Sequence, residues 1–255
     1  VLDAAEKLNQ PVILQHADLH EPIAPLAILG PIMVAMAEKA AVPVCVHLDH
    51  GEHLDYLKQA LDLGFTSVMF DGSALPTPEN TEKSHATVAL ASKYGASVEA
   101  ELGRVLRPEG GGGSDDLSAL PPEACYTDPE AAKSFVADTG IDALAIAFGT
   151  AHGIYTTKPV LDVGRVALIR DALHMPLVMH GGSGVSDDEF HRAIANGITK
   201  INYFTYMSLA GGNGVRTLQN NSTDPDSLRF DTMAEAARQA MQRDVEHAMS
   251  IFANR

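Results

Sequence analysis

Seven short apolar runs recur along the chain: PVILQ (11–15), VPVCVHLD (42–49), FTSVMFD (65–71), ASVEAEL (96–102), ALAIAFG (143–149), PLVMHG (176–181) and TKINYFT (199–205). Between them lie segments with helical spacing, such as EHLDYLKQALDLG (52–64), in which Leu54, Leu57, Leu61 and Leu63 form an apolar stripe. Strands that are apolar on both faces and alternate with helices specify a parallel sheet. Gly64, Gly95, Gly140 and Gly197 stand where a helix must stop before the next strand. Residues 1–9, VLDAAEKLN, read as the end of a helix with no strand before it. A βα unit lacking its strand brings the count to eight, so the expected fold is an α/β TIM (β/α)8 barrel whose first strand is missing from this sequence. An open doubly wound sheet is the alternative, disfavoured because no GxGxxG fingerprint follows an early strand.

The 255 residues fit one barrel domain, 1–255. Two stretches break the alternation. RVLRPEGGGGSDDLSALPPEA (104–124) is rich in Gly, Pro and acid and leaves the C-terminal end of a strand, where barrel enzymes keep mobile loops. GGNGVRTLQNNSTDPDS (211–227) reads as a loop before a C-terminal helical tail (about 228–255) whose amphipathic helix covers 231–252. The formal net charge is −15, with 18 basic against 33 acidic residues and no dense basic stripe, which argues against nucleic acid as a partner. An anionic ligand therefore needs backbone N–H groups or a metal to hold it. The two cysteines, Cys45 and Cys125, form no disulfide framework, and no apolar run approaches the roughly 20 residues that span a bilayer. The expectation is a cytoplasmic protein with no membrane partner.

Function in a barrel collects at the C-terminal strand ends. Here these carry Gln15; Asp49 and His50; Asp71 and Ser73; Glu99 and Glu101; Gly149 to Gly153; His180 to Gly184; and Asn202 to Thr205. A single histidine after a strand is more often a satisfied structural residue than a ligand, and His16, His20, His53, His85, His174, His191 and His247 are read that way. His47 lies deeper in its strand, which favours a core role. His50, His152 and His180 each end an apolar strand and each precede a glycine. Neutral imidazoles from three strands with an open fourth position are what a catalytic zinc requires, although the set also suits cobalt, iron or manganese. GTAHG (149–153) and HGGSG (180–184) can gather backbone N–H groups for a phosphate, with an ordinary turn as the alternative for each.

HLDHG (47–51), MFDGS (69–73), VEAELG (98–103), YTDPEAA (126–132), GTAHGIY (149–155), HGGSG (180–184) and KINYFT (200–205) occur in one order. In this respect the chain resembles the class II, metal-dependent ketose-bisphosphate aldolases, the fructose- and tagatose-bisphosphate aldolase family, from residue 1 to about 208. The resemblance implies zinc held by His50, His152 and His180, with Asp49 as the acid that protonates the aldehyde-side oxygen. Asp71 and Glu101 match carboxylates of a second position, for a divalent metal or a monovalent cation. Gln15, Gly153, Gly181, Gly182, Ser183, Asn202, Tyr203, Phe204 and Thr205 would bind the substrate. The implied reaction cleaves a ketose (bis)phosphate reversibly to dihydroxyacetone phosphate and an aldehyde, and the implied assembly is a homodimer or homotetramer.

The family's loop after VEAELG carries a glutamate that moves the second proton. This sequence has GGGGSDD (110–116) there, so Asp115 is the candidate, with Asp116 and Glu109 as alternatives. HADLHEP (16–22) also departs, standing where many relatives have a phosphate-contacting serine. Three rival functions remain: a barrel that only binds metal and sugar phosphate or acts on a different ketose, a metallohydrolase, and a Schiff-base aldolase. The last needs a lysine at the catalytic end of a strand, and Lys200 is expected at the opposite end.

Overall fold

The computed structural model of the protein describes residues 1–105, 122–154, 159–223 and 225–253. All seven expected strands form: β1 (Val12–Ala17), β2 (Val44–Gly51), β3 (Ser67–Phe70), β4 (Ser97–Leu102), β5 (Ala143–Ile146), β6 (Leu177–Met179) and β7 (Ile198–Ile201). They lie in one parallel sheet in sequence order, each pairing with its neighbours in the chain. Among the described residues β1 and β7 share no ladder, so the sheet is a curled, TIM-like barrel left open at one seam.

The helices α1 (Leu2–Leu8), α2 (Leu26–Lys39), α3 (Leu54–Asp62), α4 (Thr77–Ala91), α5 (Pro129–Thr139), α6 (Val163–Leu173) and α7 (Asp187–Asn196) alternate with the strands, and α8 (Thr205–Asn221) and α9 (Phe230–Phe252) follow β7. Local chemistry starts and stops several of them. Asp128 caps α5 by accepting from the Ala131 N–H with Pro129 in the first turn, which gives the TDP of YTDPEAA a structural role. Ser186 and Glu189 form a capping box on α7. The four glycines read as stop signals all have positive φ.

Period-two alternation divides the strand side chains. Val46, Leu48, Val68, Phe70, Val98 and Ala100 belong to the large core between sheet and helices. Met69, Ala145 and Val178 form a second, small apolar layer. Register places Glu99 opposite Met69, Glu101 opposite Ala145 and Lys200 opposite Val178. The same inner face thus carries a string of polar and charged side chains.

The expected loop at 211–227 is a correction. Residues 211–221 continue α8, and a short 3-10 turn, Pro225–Leu228, leads into α9. The glycines that favoured a loop instead let two helices approach. A Cβ on Gly214 would sit 2.7 Å from the Ala236 carbonyl oxygen, and one on Gly211 would sit 3.0 Å from Met241. Tertiary packing outweighs the weak helix propensity of glycine here. Residues 106–121, most of the expected mobile loop, lie outside the described residues, and Asp115 with them.

The α8–α9 contact yields a paired prediction. A Cβ on Gly212 would meet nothing within 4 Å, so Gly212→Ala should stabilise by ~0.5–1 kcal/mol, as an unhindered helix interior does. Gly214→Ala should destabilise by ~1–3 kcal/mol through overpacking against α9. Urea unfolding of both variants measures the two signs; equal effects would remove the close-approach explanation.

Candidate metal and proton-transfer site

An ordinary strand sends neighbouring side chains to opposite faces, yet Asp49 and His50 both serve one site. The pairing of β2 with β3 shifts register between Leu48 and Gly51, and His50 takes a left-handed φ of 52°. A non-glycine residue in that region is uncommon and carries strain, a condition that clusters at functional sites. The shift turns His50 inward beside Asp49. On the far side, Gly181 has φ 67°, and a Cβ there would lie 2.4 Å from the Ala151 carbonyl oxygen. Only glycine lets the turn after β6 rest against the turn after β5, which brings His180 near His152.

The three imidazoles foreseen from the sequence converge. Ring centroids are 4.7 Å apart for His50 and His180, 5.0 Å for His50 and His152, and 5.7 Å for His152 and His180. His50 Nδ1 lies 2.7 Å from Asp71 Oδ2, and His180 Nε2 lies 2.8 Å from Glu99 Oε1. A carboxylate only accepts, so these nitrogens carry the protons and the opposite ones present lone pairs. Those opposite atoms, His50 Nε2 and His180 Nδ1, face each other at 3.0 Å. Two such lone pairs repel unless a cation lies between them, either a proton on His50 Nε2 in the metal-free site or a metal ion. The donor set therefore fits a divalent metal at His50, His152 and His180, whose ligand atoms all lie within 4.8 Å of one another.

Asp49 is buried and accepts from Asn202 Nδ2 at 3.0 Å. Asn202 Oδ1 in turn accepts from Lys200 Nζ at 2.7 Å, which fixes the orientation of the amide. Asn202 Nδ2 also lies 3.3 Å from His180 Nε2, but both are donors, so this is a contact and not a bond. Burial pushes the Asp49 carboxyl up; His50, His180 and Lys200 overcome it and hold the group below the ordinary carboxylate range. For His50, burial favours the neutral form, but Asp49 and Asp71 prevail and raise it to about 9.

Lys200 is not at the opposite end of the barrel. It is the penultimate residue of β7, and its ammonium also lies 2.8 Å from Glu99 Oε2 inside the site. The apolar run TKINYFT (199–205) suggests a strand that Lys200 begins, but β7 spans Ile198–Ile201, which puts Lys200 near its C-terminal end. Glu99 is the other functional residue that sequence reasoning missed, having given a part to Glu101 alone. The two-residue spacing of VEAEL, which points both carboxylates to one face, was the available signal.

Glu101 is buried, and burial together with Asp71 pushes its carboxyl up to about 7. Its Oε1 accepts from the Val105 N–H, whereas Oε2 has no hydrogen-bond partner among the described residues. His50, Asp71 and Glu101 form a further group with ligand atoms within 4.8 Å, although Asp71 is committed to His50 and to the Ser73 hydroxyl and N–H. His47 fits the core role expected of it: it is buried, 2.7 Å from the Ser67 hydroxyl, and pushed down to about 4 by burial.

A cavity of about 1170 Å³ runs along the seam and opens onto Asp49, His50 and His152. All the expected substrate residues line it: Gln15, Gly153, Gly181, Gly182, Ser183 and the run Asn202–Thr205. They are not equivalent. Gln15 Nε2 is buried without a hydrogen-bond partner among the described residues. Tyr203 is turned toward α9, donating to Asp244 at 3.0 Å, and Phe204 packs on His20. Ser183 accepts from the Tyr206 N–H in the first turn of α8.

Carboxylate-oriented imidazoles, an adjacent buried aspartate and a cavity at the strand ends make a barrel site whose residues could hold a metal. A family model described as fructose-bisphosphate aldolase class-II matches residues 1–255, and the chain belongs to that family; it is a class II aldolase, a carbon–carbon lyase. It is 36% identical over 253 residues to a sulfofructosephosphate aldolase of Alkalicoccus urumqiensis, covering 99% of this chain and 85% of that protein. It is likewise 36% identical over 248 residues to the D-tagatose-1,6-bisphosphate aldolase subunit GatY of Klebsiella oxytoca, covering 97% and 86%. The crystal structure of the YdjI aldolase from Escherichia coli K12 superposes with a TM-score of 0.84 at 34% identity, covering 98% of this chain and 85% of that one. No helix among the described residues is long and apolar enough to cross a membrane.

The raised His50 has a signed consequence. Its charged form stabilises the metal-free fold fully below pH ~6.5, and this contribution is lost as the pH rises through about 9. Thermal unfolding of chelator-treated protein from pH 6.5 to 9.5 should show the midpoint falling, and His50→Gln should flatten that slope. An unchanged slope in the variant would assign the pH dependence to another group.

Proposed function

We propose that this aldolase cleaves the C3–C4 bond of a phosphorylated ketose, giving dihydroxyacetone phosphate and an aldehyde, and runs the reverse condensation with zinc at His50, His152 and His180. The observation that carries this reading is the meeting of two metal-facing imidazole nitrogens at 3.0 Å beside a buried, ionised Asp49. When bound, the metal supplies the electrophile for the negative charge left on the ketone half. The chain does the rest. Asp49 takes the proton of the C4 hydroxyl during cleavage and returns it during condensation, held at the right angle by Asn202. Its Oδ2 lies 3.9 Å from His50 Nε2, beside the proposed metal position.

The phosphate side rests on backbone. With a formal charge of −15 the overall field repels a phosphorylated sugar. Backbone N–H groups of the turns at Gly153 and Gly181 to Ser183, and the start of α8 at Thr205, supply local attraction. Asn202 reaches the substrate through its main chain, because its side-chain amide is occupied at both ends by Lys200 and Asp49. Asp115 is proposed for the second proton transfer, and Asp71 with Glu101 for a second cation. The relatives act, by name, on tagatose bisphosphate and sulfofructose phosphate, so substrates divide both in the configuration at C4, beside the bond that breaks, and in the anionic group at the far end of the ketose.

The test is a cleavage assay with fructose 1,6-bisphosphate, tagatose 1,6-bisphosphate and sulfofructose phosphate, before and after chelation and with zinc restored. Activity should vanish on chelation and return with zinc, and Asp49→Ala should lower kcat by ~10²–10⁴ while retaining metal. Cleavage that survives chelation, or an Asp49→Ala enzyme at full rate, would overturn the assignment. The fastest of the three sugars names the substrate branch.

A further inference from the structure

A partly buried ammonium lies behind the imidazoles and Asp49. Lys200 Nζ is 2.8 Å from Glu99 Oε2 and 2.7 Å from Asn202 Oδ1, with its side chain 12% exposed. Each partner leads to a different working group. Through its other oxygen Glu99 reaches His180 Nε2 at 2.8 Å, and through its Nδ2 Asn202 reaches Asp49 at 3.0 Å. We infer that Lys200 is a positioning residue that couples metal ligation to proton transfer, by holding at once the carboxylate that orients His180 and the amide that orients Asp49. The inference rests on the metal position proposed above.

The chemistry requires a cation at this point. Glu99 is 2% exposed, and a buried carboxylate oxygen without a donor is costly. His180 donates to one of its oxygens; Lys200 satisfies the other. Without the ammonium, Glu99 can turn, and His180 loses the bond that keeps Nδ1 aimed at His50. The same loss frees the Asn202 amide to flip, which presents its oxygen to Asp49 and repels it. A neutral side chain of equal length cannot serve both acceptors. The four carboxylates around the metal position, Asp49, Asp71, Glu99 and Glu101, add to the need for a fixed positive charge nearby.

The experiment uses the whole protein with Lys200→Met, which keeps the stem and removes the charge, alongside Lys200→Arg and Glu99→Gln. Zinc affinity is measured by competition with a chromophoric chelator, the visible spectrum is recorded after loading with cobalt, and kcat and KM are measured at saturating zinc. Lys200→Met should bind zinc ~10–100-fold more weakly and shift the cobalt bands, as removal of a group that orients a ligand does. Once zinc is saturating, kcat should remain depressed ~10-fold or more with KM little changed, because the Lys200 ammonium is taken up by Glu99 and Asn202 and acts on Asp49 through the latter. Lys200→Met combined with Glu99→Gln should bind zinc no more weakly than Glu99→Gln alone, since both act through His180.

Wild-type zinc affinity and cobalt spectrum in Lys200→Met would overturn the coupling while leaving the metal site intact. Weak zinc binding with full kcat at saturation would also overturn it, reducing Lys200 to metal support. A wild-type protein that binds no divalent cation would remove the metal reading itself. If Lys200→Met does not fold, Lys200→Arg carries the test through the same two readouts. Its planar, longer head keeps the charge but shifts both bonds, so an unaltered cobalt spectrum and kcat there would overturn the inference.

Discussion

An imidazole has two nitrogens, and the site depends on which one is given away. Asp71 takes the Nδ1 proton of His50 and Glu99 takes the Nε2 proton of His180, so the two rings meet through opposite atoms. Reversing either tautomer would put a proton into the metal position. The carboxylates that fix this arrangement are themselves buried, which obliges the surroundings to hold them: Ser73 for Asp71, Lys200 for Glu99. The backbone serves the same end. The register shift in β2 and the left-handed His50 put Asp49 and His50, the proposed proton-transfer residue and the proposed ligand, next to each other, where regular alternation would separate them.

The main outline was legible in the sequence because periodicity reports burial. Apolar runs with β-branched residues became strands in the expected order, and histidines followed by glycine marked their catalytic ends. Asp49, His50, His152 and His180 could be found because residues of this kind are expensive at the end of a buried strand unless they have work to do. The expected substrate residues share one cavity for a related reason: apart from Gln15, which lies within β1, each follows a strand.

What was not legible depended on contacts between distant segments. Glycines at 211 and 214 look like loop residues until α9 lies against them, because sequence shows their low propensity and not the neighbour that needs the space. Lys200 was misplaced because the apolar run continues past Ile201, where β7 ends, and only its contacts with Glu99 and Asn202 show which end of the strand it serves. Asn202 reads as a substrate contact in sequence, yet both ends of its amide are already occupied. In each case the missing knowledge was what else lies within 3 Å.

The first helix and the last one meet. Arg238 of α9 pairs with Asp3, and Glu246 pairs with Lys7, 239 positions apart in the chain. During synthesis α1 is made long before α9 and must wait for its partner. The strands can pair with their neighbours one after another as they emerge, since every ladder joins consecutive strands. The α1–α9 contact cannot form until almost every one of these residues has been made. The contacts that hold the first helix to the last are therefore the latest of these to become available as the chain is made.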